Sequence, residues 1–184
     1  RYHHGNLPDA LIEEGAGLLA ESGIEGFSLR KLATRTGVTV AAPSHHFGSA
    51  KGLLTAIATR GCEKLAGQMD IVGSSTNSPS DAVTAMCVAY LKMRTTNPGY
   101  ASVMFQLDLL DGQDERFRAS AFRAFGRLEK ALAEALPHSV GSEQIATKAK
   151  ALWATTHGLS VLSMIDDPEA EQVIESAVTA HLAG

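Results

Sequence analysis

Apolar residues recur along the chain at spacings of three and four, as in Leu11, Ile12, Gly15, Leu18 and Leu19, which places them on one face of a helix turning about 100° per residue. No stretch alternates with period two for long enough to make a strand, so the pattern predicts an all-α fold. Leu7-Pro8 leads into a first helix that stops at Ser22-Gly23. Ser28 is placed to cap a second, Leu29 to about Thr36, with Leu29, Leu32 and Ala33 inward and Arg30, Lys31, Thr34 and Arg35 outward; Gly37 ends it. Thr39 is read as the cap of a short third helix, Val40 to Phe47, whose Pro43 lies in the first turn, where its missing N–H costs little. Ser49 caps a fourth, reaching about Ile71. The polar run Gly73 to Pro79 reads as a linker. Beyond it the pattern predicts helices at Ser80–Thr96, Gly99–Leu110, Gln113–Leu136, Ser142–Ile165 and Pro168–Leu182, divided by Asn97-Pro98-Gly99, Asp111-Gly112, Leu136-Pro137-His138 and Asp166-Asp167-Pro168. The division expected is a head over 1–48, a connecting helix over 49–72 and a second helical domain over 80–184.

Helix, glycine turn and short helix make the helix-turn-helix plan, in which the second helix sets its N-terminal residues in the major groove. Ala33 is small where two helices approach, Gly37 can take the left-handed conformation of the turn, and Val38 packs between them. Arg30, Thr39, His45 and His46 are left outside for contacts. Charge sharpens this reading. With 16 Lys and Arg against 20 Asp and Glu, the net −4 of the 184-residue chain argues against a nucleic-acid partner when taken whole. Residues 1–65, however, hold seven basic against six acidic residues, and Phe27 to Cys62 holds no acid at all while carrying Arg30, Lys31, Arg35, Lys51 and Arg60. A polyanion can rest on such a surface.

The composition, 45% hydrophobic and 20% charged, is that of an ordinary globular chain. Cys62 and Cys87 stand far apart with no CxxC partner, which points to a reducing cytoplasm and against a disulfide framework or structural zinc. The longest uncharged apolar stretch, Ala151 to Ile165, is too short and polar for a membrane span, and no signal peptide is read at the start, where Arg1 is expected to follow a short arm. No nucleophile elbow, HExxH, phosphate-cradling glycine loop or carboxylate cluster is present, so neither an enzyme nor a cofactor is expected. His45 and His46 point about 100° apart on a helix and cannot chelate one metal together.

The continuous run Gly26-Phe27-Ser28-Leu29-Arg30-Lys31-Leu32-Ala33-Thr34-Arg35-Thr36-Gly37-Val38-Thr39-Val40-Ala41-Ala42-Pro43-Ser44-His45-His46-Phe47-Gly48-Ser49-Ala50-Lys51-Gly52-Leu53-Leu54 closely resembles the N-terminal DNA-binding domain of TetR/AcrR transcriptional regulators. Tyr2-His3-His4-Gly5-Asn6-Leu7 resembles one branch of that family, and Trp153-Ala154-Thr155-Thr156-His157-Gly158 is similar to the signature of its WHG-type C-terminal domain. The resemblance implies a homodimeric regulator, a repressor more than an activator, that binds a palindromic double-stranded operator and is released by a small, largely apolar effector. By the same resemblance Ser28 caps and meets phosphate, Thr39, Val40 and Ala41 face the groove, Ser44, His45, His46 and Lys51 lie at the DNA, and Phe47 is core. Three positions depart from the pattern: Ser44 stands where tyrosine is usual, Ala50 where a phosphate-binding lysine is usual, and Pro8 where a basic residue is common.

Met86, Tyr90 and Met93, with Met104, Phe105, Phe122 and Phe125, form an apolar set that either lines a pocket or makes plain core; the resemblance favours the pocket. Trp153 and His157, four residues apart on one face, pack together or touch the ligand. Arg116, Arg118, Arg123, Arg127 and Lys130 read as a solvated face with local ion pairs. Residues 151–165 are apolar around most of their circumference, and the surplus, with Val173, Ile174, Ala177, Val178 and Leu182, is expected to pair with a second copy through 151–165 and 173–182. The rival reading is a helical small-molecule receptor without DNA binding, favoured by Ser44, Ala50 and the net charge.

Overall fold

The structure, a computed structural model, describes residues 6–162 and 169–183. The opening motif at Tyr2 to Gly5, the expected helix end at Met164-Ile165 and the break at Asp166-Asp167-Pro168 lie outside them. Among the described residues the chain is all helical: α1 (Leu7–Gly26), α2 (Leu29–Thr36), α3 (Ala41–Phe47), α4 (Ala50–Ser74), α5 (Pro79–Thr96), α6 (Pro98–Met104), a 3-10 turn (Leu107–Leu109), α7 (Glu115–Ala135), α8 (Ser142–Val161) and α9 (Ala170–Ala183). The predicted break in α1 is a sharp kink at Gly23, whose φ of +65° suits glycine, after which one more turn runs to Gly26.

Two compact units divide the chain, residues 1–62 with 97–120, and residues 63–96 with 121–184. In the first, α1 buries Leu11, Ile12, Ala16, Leu18 and Leu19 against α2 and α6. Leu32, Leu53, Ile57, Met104 and Leu110 complete a core in which each is at most 1% exposed, and each buried side chain of this kind stabilises by about 1.5–3 kcal/mol. Two glycines allow close approach: a Cβ on Gly99 would fall 1.8 Å from the Ala16 carbonyl oxygen, and one on Gly61 would fall 2.6 Å from Met104 Sδ. The helix expected over Gly99–Leu110 stops at Met104, because the chain must leave the helical path to bury Leu110, where Asp111 N–H donates to Thr55 Oγ1 at 2.9 Å.

In the second unit α5, α8 and α9 pack together, with Val83, Cys87, Leu91, Leu152, Ile174 and Val178 buried. Leu65 and Met69 of α4 and Leu128 and Leu132 of α7 are equally enclosed. Arg127 on α7 clasps Asp70 on α4 in two 2.9 Å hydrogen bonds, a bidentate pair that holds the Asp70 carboxyl below its usual range.

Candidate nucleic-acid interface

Each joint of the three-helix head is closed by a local device. Ser28 Oγ accepts the Lys31 N–H at 3.2 Å, capping α2 as the sequence predicts. At the other end Gly37 is left-handed (φ +69°), its N–H donating to Thr34 O at 3.3 Å while Val38 N–H donates to Ala33 O at 3.0 Å, the two bonds of a Schellman motif. This turn points the chain into α3. Thr39, read as a side-chain cap, works differently: its carbonyl accepts the Ala42 N–H at 3.0 Å, Val40 is already in the right-handed helical region, and α3 begins at Ala41 with no side-chain cap. The Thr39 hydroxyl is thereby left outside the helix start. Pro43 is buried in the first turn, and Phe47 is half-buried rather than wholly core. Gly48 (φ +73°) makes the next turn, and Ser49 Oγ accepts the Gly52 N–H at 3.1 Å to cap α4.

The outer surface of α3 and its flanks carries Thr39, Val40, Ala41, Ser44, His45 and His46, all exposed, with Val40 at 57%. The His45 and His46 rings meet nearly at right angles with centroids 5.4 Å apart. Arg30 on α2 and Ala50 and Lys51 in the first turn of α4 are exposed, and Ser28 is half-buried. The other three cations of the acid-free stretch are engaged elsewhere. Arg35 pairs with Glu14 and Glu21, and Arg60 with Asp9 and Glu13; all four acids belong to α1, outside that stretch. Lys31 Nζ donates to Gly26 O at 2.8 Å. Counting charges along the sequence could not show this, although the acids clustered on α1 were the available signal.

The profile of bacterial regulatory proteins of the tetR family matches residues 11–57, from α1 into α4, and the profile described as Tetracyclin repressor-like, C-terminal domain, matches residues 83–181, more than half of the chain. This chain belongs to the TetR family. Solved structures agree on the TetR fold over nearly the whole length. A protein with unknown function from Rhodococcus sp. RHA1 is similar with a TM-score of 0.82 at 24% identity, over 100% of this chain and 97% of that one. The TetR family transcriptional regulator PfmR from Thermus thermophilus gives 0.71 at 23% over 95% and 97%, and a TetR-family regulator from Bordetella parapertussis gives 0.71 at 19% over 98% and 96%. No curated protein matches the chain. The TetR helix-turn-helix match spans every candidate from Ser28 to Lys51.

The residues singled out for an effector fall into groups in this TetR chain. In the second unit Tyr90 is buried on α5, with its hydroxyl 2.9 Å from His157 Nδ1 and the Trp153 ring centroid 4.7 Å away; Phe125 meets Trp153 with ring centroids 5.6 Å apart. Trp153 and His157 thus share Tyr90 as a common neighbour. Met86 and Met93 are buried on the same helix as Tyr90. Phe122, by contrast, is 69% exposed on α7. Met104 and Phe105 belong to the first unit, where Met104 is packed on Gly61 and Phe105 is exposed.

Burial and, second, the charge of Arg94 lower the His157 pKa from 6.5. The folded chain therefore binds fewer protons there than the unfolded one just below that value, so this contribution to stability is complete above about pH 6.5 and is lost as pH falls through the folded pKa. Between about pH 7.5 and 5.5 the thermal midpoint is expected to fall further for wild type than for His157→Gln. Parallel declines would show that His157 is as solvated folded as unfolded.

Proposed function

We propose that this chain is a homodimeric repressor that binds a palindromic operator through α3 and is released by a small, largely apolar molecule held in the second unit. The observation that carries the reading is the Schellman-closed turn between α2 and α3, which presents an exposed α3 surface free of Asp and Glu. Thr39, Val40 and Ala41 are then the base-facing residues, with Ser44, His45, His46, Arg30 and Lys51 around them and Ser28 near phosphate. Dimerisation is supported by the outward side of α8, where Ala151, Ala154, Val161 and Leu162 are exposed, together with exposed Val173 on α9. Tyr90, Phe125, Trp153 and His157, with Met86 and Met93, are the effector contacts, and Trp153-His157-Gly158 supports assignment to the WHG branch. The protein acts in the cytoplasm.

Selection of genomic fragments by the purified protein tests the reading. Bound fragments should share an inverted repeat with half-sites about 34–36 Å apart or a multiple of it. Ala50→Lys should then tighten binding to specific and random duplex alike and steepen the slope of log K against log salt by ~0.9, one further phosphate neutralised. Absence of any sequence preference at low salt would instead select the receptor reading. An effector that weakens operator binding by some factor must itself bind more weakly to the operator complex by that same factor.

A further inference from the structure

Arg35 is an arginine in an acid-free stretch, two residues before the turn of a DNA-binding motif, and by charge alone it would be assigned to phosphate. Its surroundings assign it elsewhere. Glu14, Gly17 and Glu21 lie three and four residues apart on one face of α1. The Arg35 guanidinium spans the two carboxylates, with Nε 2.7 Å from Glu14 Oε2 and Nη1 2.5 Å from Glu21 Oε2. Gly17, between them, leaves the floor open: a Cβ there would come within 3.2 Å of Arg35 Nη2. Glycine is costly in a helix interior, so a glycine under a guanidinium fits a seat for that group. The hydrogen bond from Arg35 holds the Glu21 carboxyl below its usual range.

We propose that Arg35 is a positioning residue for DNA binding, seated in the Glu14–Gly17–Glu21 socket so that it fixes the end of α2 on α1 and with it the turn that carries α3. The inference rests on the proposal that α3 reads DNA. Arg35 is exposed, and exposed ion pairs add little to global stability, so its removal leaves the fold intact and acts on the aim of α3. Lysine cannot replace it: a single ammonium does not reach two carboxylates two helical turns apart as a planar fork does.

The test is a double-mutant cycle read by anisotropy of a fluorescein-labelled mixed-sequence duplex about three helical turns long, over a range of salt. Arg35→Gln and Arg35→Lys are each expected to weaken binding about three- to tenfold with the salt slope unchanged. In the Glu14→Gln/Glu21→Gln background, itself weakened despite the loss of two negative charges, Arg35→Gln should have almost no further effect. An equal loss in both backgrounds, with the slope reduced by ~0.9, would make Arg35 a phosphate contact and overturn the proposal. Hydrogen exchange of the free protein gives a reading independent of DNA: the Gly37, Val38 and Thr39 amides should exchange faster in Arg35→Gln, and unchanged exchange refutes the clamp. A wild type that fails to bind duplex while those amides still respond would count against α3 as a DNA reader and not against the socket.

Discussion

Gly99→Ala should destabilise the protein by about 3 kcal/mol, lowering the thermal midpoint by roughly 6–12 °C. The added Cβ would lie 1.8 Å from the Ala16 carbonyl oxygen, 2.7 Å from its carbon and 3.2 Å from its Cα. All three are backbone atoms of α1, so no rotamer change relieves the clash, and the helices must separate. Because Ala16 and its neighbours Leu18 and Leu19 are buried, that separation opens the core of the first unit. Gly67→Ala is the internal control. It lies on the exposed side of α4 with nothing within 4 Å of where its methyl group would lie, so helix propensity alone applies and the change should stabilise by about 0.5–1 kcal/mol. Midpoints within a degree of wild type for Gly99→Ala would mean that α6 is not held backbone to backbone on α1.

The same seam marks where the sequence stops being legible. Local chemistry is readable because its partners lie a few residues apart: the Ser28 and Ser49 caps, the left-handed Gly37 and the break at Gly23 each stand where spacing and residue type put them. Thr39 is not the side-chain cap that its residue type suggests, because Val40 has already entered the helical region. Tertiary partners are not readable. The linker at Gly73 to Pro79 groups residues 97–120 with all that follows it, yet they pack in one unit with the N-terminal helices, through a glycine whose partner is 83 residues away. The acid-free stretch likewise looks more basic than it is, since the acids that answer Arg35 and Arg60 are on a different helix. Of the apolar effector set, only periodicity is visible, and periodicity alone does not separate exposed Phe122 from Tyr90 held by Trp153 and His157.

Val161→Asp/Leu162→Asp should convert the proposed dimer to a monomer by light scattering at micromolar concentration and weaken binding to the proposed operator by about 10²–10⁴. These side chains are 51% and 71% exposed at the end of α8, so the charges cost the protomer little, and its thermal midpoint should stay close to wild type. Across a two-fold axis each substituted residue would face its own copy or a close neighbour, which sets like charges against each other where apolar surface had been shared. The loss in DNA affinity follows from valence alone. A dimer holds its second head near the second half-site at high effective concentration, whereas a monomer must bind each half-site separately. Ile71→Asp, at another apolar side chain 61% exposed, should alter neither oligomeric state nor affinity. A dimer that survives the double substitution unchanged would move the interface off this end of α8, while a monomer that keeps full operator affinity would show that one head suffices and remove the reason for a palindromic site.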